Sequence, residues 1–171
     1  EGVWYDQGAV FFSSKGDNQV RRYDTEAETM AVVYEGTGEL EGVDNLTLEP
    51  GTQDLFVAED GGNMEVVLVT PDGEAFPFLR IVDEGVPAGG LESEVAGPAF
   101  SPDGRHLYFS SQRGGPANRG VTYVVSGPFR AADAAAGATT TTAAGATATT
   151  VADGDDAGDD GGSDLALPLV G

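Results

Sequence analysis

Glu94-Val-Ala-Gly97-Pro-Ala-Phe100-Ser-Pro-Asp-Gly104-Arg-His106-Leu-Tyr-Phe-Ser-Ser111 reads as two strands joined by a tight reversal. Ser101-Pro-Asp-Gly104 combines the fixed φ of proline with the positive φ that glycine tolerates, and apolar residues flank it on both sides. The same plan occurs twice earlier, as Glu1-Gly-Val…Gly8-Ala-Val-Phe-Phe-Ser-Ser14 and as Glu41-Gly-Val…Leu55-Phe-Val-Ala-Glu59-Asp60. Glutamate to glutamate, the periods are 40 and 53 residues. The second halves match too, since Val20-Arg-Arg-Tyr-Asp24 parallels Val66-Val-Leu-Val-Thr70. Repeats of about this length, built from four antiparallel strands, mark propeller blades.

Working outward, strands are expected at Val3–Tyr5, Ala9–Ser14, Gln19–Tyr23, Met30–Tyr34, Val43–Leu48, Asp54–Ala58, Glu65–Val69, Ala75–Ile81, Gly97–Phe100, His106–Ser110 and Val121–Ser126. No segment sustains a helical period. The expected class is all-β: a partial β-propeller of about three four-stranded antiparallel blades over residues 1–130, followed by a disordered tail. The third copy is expected to stop after three strands. A ring typically takes about four to eight blades, so the segment reads as the C-terminal part of a longer propeller, or as one that must assemble.

Composition changes after Arg130. Ala, Thr, Gly and Asp make up 34 of the 41 residues from 131 to 171, with no aromatic and no basic residue. By composition alone such a stretch buries too little apolar surface to offset its ordering entropy, so 131–171 reads as a disordered linker.

The whole chain carries 29 acidic residues against 8 basic ones, a formal net charge of −21. Seven of those acids lie in the tail, which leaves 22 against 8 in the first 130 residues. Phosphate backbones and anionic lipid are repelled by that field, so nucleic-acid and membrane-surface partners are not expected. The absence of cysteine excludes disulfides and thiolate chemistry within the segment, and a single histidine excludes a two-histidine metal site. No apolar run is long enough to span a bilayer.

In a propeller the start of a blade's first strand and the end of its second lie on one rim. That places Glu1, Glu41, Glu94, Glu59 and Asp60 near one mouth of the channel. Asp44 and Asn45 join them if the turns, rather than the Glu-Gly strings, set the register; aligning on Pro50-Gly51 and Asp103-Gly104 puts Glu94 two or three residues before Asn45. Converging carboxylates repel one another unless a cation is bound, and oxygen-only donors suit calcium above all, with iron or manganese tolerated. Acids at such rims are also common as plain solvated turns. Arg113 follows the second strand of the third copy on the same rim, where a guanidinium can clamp an anion.

The ordered series Glu1-Gly-Val-Trp-Tyr…Val-Phe-Phe-Ser, Gly42-Val-Asp-Asn-Leu…Leu-Phe-Val-Ala-Glu-Asp-Gly61, Ser93-Glu-Val-Ala-Gly…Phe-Ser-Pro-Asp-Gly and Val121-Thr-Tyr-Val-Val-Ser-Gly-Pro-Phe129 resembles the C-terminal half of the PhoX-type bacterial phosphatases. The resemblance covers nearly all of residues 1–130. It implies an exported β-propeller that hydrolyses phosphate monoesters with calcium and iron held at the axis. The family's acidic ligands would fall on Glu1, Glu59 and Glu94, with Asp44, Asn45 and Asp60 beside them. Its cysteine motif is missing from this sequence, so the segment holds about half a site and is expected to be inactive alone. Bound metal would neutralise the carboxylates and admit an anionic ester.

The expected assignment is therefore Glu1, Glu59, Glu94 and Asp44 to metal, and Asn45, Asp60 and Arg113 to substrate, in an extracytoplasmic enzyme. Two competing readings are a calcium-dependent lactonase-like propeller hydrolase, and a non-catalytic surface-displayed propeller with the tail as its stalk.

Overall fold

The computed structural model describes residues 1–38, 40–60, 63–82, 93–129 and 147–151, the last as backbone only. Among the described residues, twelve strands form three four-stranded antiparallel sheets. Sheet 1 comprises β1 (Val3–Asp6), β2 (Ala9–Ser14), β3 (Gln19–Asp24) and β4 (Thr29–Tyr34) in that order. Sheet 2 comprises β5 (Val43–Leu48), β6 (Leu55–Glu59), β7 (Glu65–Val69) and β8 (Ala75–Arg80). Sheet 3 comprises β9 (Val95–Phe100), β10 (His106–Ser111), β11 (Val121–Ser126) and β12 (Thr147–Val151). The all-β class holds, and the described residues contain no α-helix, only one short turn of 3₁₀ helix at Pro116–Asn118.

Each sheet is a simple meander because its turns carry the residues that reversals require. Gly104 donates to the Ser101 carbonyl at 2.9 Å, closing the Ser-Pro-Asp-Gly turn, and Gly73 closes Thr70-Pro-Asp-Gly in the same way at 2.9 Å. The strands then alternate. In β2 the residues Ala9, Phe11 and Ser13 are buried while those between them are half-buried.

The sheets stack in chain order, with β5 against β1 and β2, and β9 against β5 and β6. One apolar cluster lies between sheets 1 and 2, built from Ala9, Phe11 and Val20 against Leu46, Leu48 and Val57. A second lies between sheets 2 and 3, where Phe56 meets Phe78 and Phe100 edge to face at 5.0 and 5.1 Å. Sheet 2 is therefore covered on both faces, which explains why β6 is buried at all five positions. A buried phenylalanine contributes roughly 1.5–3 kcal/mol over an exposed one, so these two layers rather than local propensity hold the sheets together.

The third copy differs from expectation in one respect. It gains a fourth strand from the segment read as a disordered tail, because Thr147–Val151 pairs antiparallel with β11, Thr122 opposite Val151 and Ser126 opposite Thr147. Composition weighs only what a segment buries by itself. The free edge of β11 offers a row of unpaired backbone groups, and a β-branched Thr/Val stretch satisfies them. The rest of the tail reading, at 131–146 and 152–171, lies outside the described residues.

Candidate cation site at the inner-strand bulges

Three equivalent backbone bonds fix how the copies correspond. Ser13 donates to the Gly2 carbonyl at 3.0 Å, Asp60 to Gly42 at 2.9 Å, and Gln112 to Glu94 at 2.9 Å. Val3, Val43 and Val95 follow in the same place, paired with Phe12, Glu59 and Ser111. Glu94 thus corresponds to Gly42 and Gly2, and Ser93 corresponds to Glu41 and Glu1. Glu94 therefore matches a position three residues before Asn45, and the Glu-Gly register is off by one residue in the third copy. On a strand, one residue is a change of face.

The first strands of sheets 2 and 3 each carry a bulge, one residue apart in this correspondence. Between Val43 and Leu46, β5 advances three residues while β6 advances two; between Ala96 and Ala99, β9 does the same against β10. Asp44-Asn45 and Gly97-Pro98 each lie two opposite one, and such bulges re-aim side chains. Gly97 has φ 60, which glycine adopts without strain. The Asn45 Oδ1 accepts from the Gly97 amide at 2.8 Å, so one bulge is tied to the next. From the other side Ser13 Oγ donates to the Asp44 carbonyl at 2.5 Å. Gly2 lies so close that a Cβ there would stand 2.7 Å from Asn45 Cα, which only glycine avoids.

These constraints bring Asp44, Asp60 and Glu94 together, with one carboxylate oxygen of each within 4.8 Å of the others. They come from three places: the β5 bulge, the end of β6 and the start of β9. Asp44 is nearly buried and accepts from Asn45 Nδ2 at 2.9 Å. Burial pushes its carboxyl above the ordinary 3.8, the Glu1 charge adds to this, and Lys15 opposes it. Lys15 pairs with Asp60, and Arg113 Nη2 stands 3.6 Å from Glu94 Oε1. Arg113 is further fixed through its amide, which donates to Ser93 Oγ at 2.9 Å.

Of the residues singled out from sequence, Asp44, Asp60 and Glu94 share the cluster, Asn45 braces it, and Arg113 flanks it. Glu1 is exposed and acts on Asp44 through its charge. Glu59 faces elsewhere. Its two oxygens accept from the Glu41 amide at 3.0 Å and the Glu65 amide at 3.3 Å. Burial raises the Glu59 carboxyl above its ordinary 4.5, those two bonds lower it, and the charges of Glu65 and Glu41 raise it again. Adjacent strand residues point to opposite faces, so Glu59 and Asp60 cannot both reach one site. Lys15 was missed. The signal was present, because it follows β2 on the rim that singled out Asp60 and Arg113.

Three hard oxygen donors at this spacing suit a cation such as calcium, which takes about six to eight oxygen ligands, and the set supplies part of that shell. The donor chemistry fits, with Lys15 and Arg113 as the cations a metal would compete with. Comparison of the chain with family models and with curated protein sequences gives no match.

Proposed function

We propose that the chain is the C-terminal part of a secreted, metal-dependent phosphomonoesterase of the PhoX type, with Asp44, Asp60 and Glu94 as its contribution to a divalent-cation site. The observation that carries this reading is the convergence of three carboxylates from three separate strand ends, across bulges that are themselves hydrogen-bonded to each other. The phosphatase assignment comes from the ordered sequence motifs. Extreme acidity suits an extracytoplasmic protein that stays soluble through charge.

In this reading Asp44, Asp60 and Glu94 are ligands rather than proton carriers. A cation held by these three carboxylates would neutralise their charge and supply the positive charge that polarises an ester's phosphoryl oxygen. Asn45 holds the Asp44 carboxylate in one orientation, and Ser13 fixes the backbone behind it. Arg113, beside Glu94, would orient the substrate anion. The iron and the ligands that complete the centre belong to the wider family pattern, outside these residues.

Phosphate release from an aryl phosphate by the longer polypeptide, with calcium present, tests the reading. Activity lost in chelator and in Glu94→Gln is the expected result. Undiminished turnover in chelator contradicts it. The adjacent acid and amide of Asp44-Asn45, 2.9 Å apart, favour a second reading as a calcium-dependent lactonase. A lactone screen on the same preparation separates the two, and calcium binding without either turnover points to a non-catalytic binding module.

A further inference from the structure

The turns of sheets 2 and 3 line a cleft of about 630 Å³, a volume that suits a small organic molecule. β5 and β9 run from the cation cluster toward these turns, so the cleft lies at the opposite ends of the same strands. From Asp44 to Glu49 is about 16 Å along an extended chain. Equivalent backbone bonds show what is peculiar to the third copy. The Glu49 amide donates to the Asp54 carbonyl at 2.9 Å, as the Ser101 amide does to the His106 carbonyl at 2.8 Å. His106 therefore stands where sheet 2 has Asp54, and Arg105 where it has Gln53. An imidazole and a guanidinium replace an acid and an amide, in a chain with 29 acidic residues and 8 basic ones.

Lys15, Arg21, Arg22 and Arg113 are all paired with carboxylates, whereas among the described residues no carboxylate stands within ion-pair distance of Arg105 or His106. Both are held in place through the backbone. The Arg105 amide donates to Asp103 Oδ1 at 3.1 Å, and the Arg105 carbonyl accepts from the Gly127 amide at 3.0 Å. The His106 amide donates to Ser101 Oγ at 3.0 Å. His106 Nδ1 meets Ser126 Oγ at 3.1 Å, which leaves Nε2 as the remaining polar atom of the ring. Pro50, Pro102, Pro128 and Phe129 give the lining its apolar side, and Phe129 is fixed edge to face against Phe100 at 5.0 Å.

We propose that this cleft binds a small carboxylate with an aromatic or aliphatic body. The Arg105 guanidinium takes the carboxylate, His106 Nε2 donates a further hydrogen bond, and the prolines and Phe129 cover the apolar part. A guanidinium fork matches the two oxygens of a carboxylate. Glu49 and Asp103 also line the cleft, and the whole chain carries −21, so one guanidinium offsets a single negative charge and not the two of a phosphate dianion. The inference does not depend on the phosphatase reading.

Titration of the chain with benzoate, followed through the imidazole NMR signals, tests it, because His106 is the one histidine of the sequence. A saturable shift of those signals is expected with benzoate, and inorganic phosphate in its dianionic form should bind about tenfold more weakly or not at all. Arg105→Ala, at an exposed position, should raise the benzoate Kd by about tenfold or more, the change that corresponds to about 1.4 kcal/mol. Arg105→Lys should recover part of the binding, since it keeps the charge and loses the fork. Asp44→Asn should leave benzoate binding unchanged, because the cation cluster lies at the other ends of the strands. Absence of a saturable shift with benzoate overturns the proposal. So does equal affinity for phosphate, which would mean an oxyanion held by charge alone, or binding that survives Arg105→Ala undiminished.

Discussion

Asp44 and Glu59 are both buried carboxylates on one strand pair, β5 and β6, and burial raises both, yet they do opposite work. Glu59 spends its oxygens inside the fold, on the amides of Glu41 and Glu65. Asp44 sits in a bulge, takes one amide from Asn45, and meets two further carboxylates from Asp60 and Glu94. A buried acid that satisfies backbone donors is structural. A buried acid aimed at other acids carries an unfavourable charge that only a cation or a proton relieves.

The largest effect should come from breaking the structural side. Glu59→Ala leaves two backbone amides without their acceptor, at about 1–3 kcal/mol for each buried group. We expect a loss of about 2–6 kcal/mol in denaturant unfolding. The same measurement on Asp44→Asn should show a change of under about 1 kcal/mol, since removing a crowded charge offsets the altered hydrogen bonding.

The pH dependence sharpens the contrast. Both carboxyls are raised in the folded state, so folded protein holds protons that unfolded protein has released. Stability should therefore fall as pH rises from the ordinary values of 3.8 and 4.5 through the raised folded values. Asp17, Asp24 and Asp103, held low chiefly by the Arg21 side chain, the Ala27 amide and the Ser101 hydroxyl respectively, pull the other way in more acidic solution. Differences between wild type and single variants isolate each carboxyl. Calcium should abolish the share that Asp44→Asn removes and leave the Glu59 share untouched. The smallest effect is expected at the competing cations. Lys15→Met and Arg113→Met should each tighten calcium binding about two- to fivefold and alter stability by no more than about 1 kcal/mol, as partly exposed pairs do.

Much of this was legible in the sequence. Four strand ranges, Ala9–Ser14, Val43–Leu48, Glu65–Val69 and Val121–Ser126, were read to the residue, because alternation and Gly/Pro turns bracket them closely. The rim rule named Asp44, Asp60 and Glu94 among its acids, and the structure brings these three together. It could not choose between Glu59 and Asp60, since neighbours on a strand differ only in face, and face depends on register. Matching the Glu-Gly strings aligned Glu94 with Glu1 and Glu41, whereas the strand pairing sets Glu94 against Gly42 and Gly2. A bulge is a property of two paired strands and leaves little mark on either one alone. The strand Thr147–Val151 was hidden for a related reason: its stabilisation comes from the edge of β11 rather than from its own composition.

Calcium titration followed by calorimetry, on wild type, Asp44→Asn and the milder Glu59→Gln, tests the cation site most directly. Binding by wild type, its loss in Asp44→Asn and its retention in Glu59→Gln are the predicted results. No heat of binding to the wild-type chain, or a loss that follows Glu59 instead of Asp44, would contradict it.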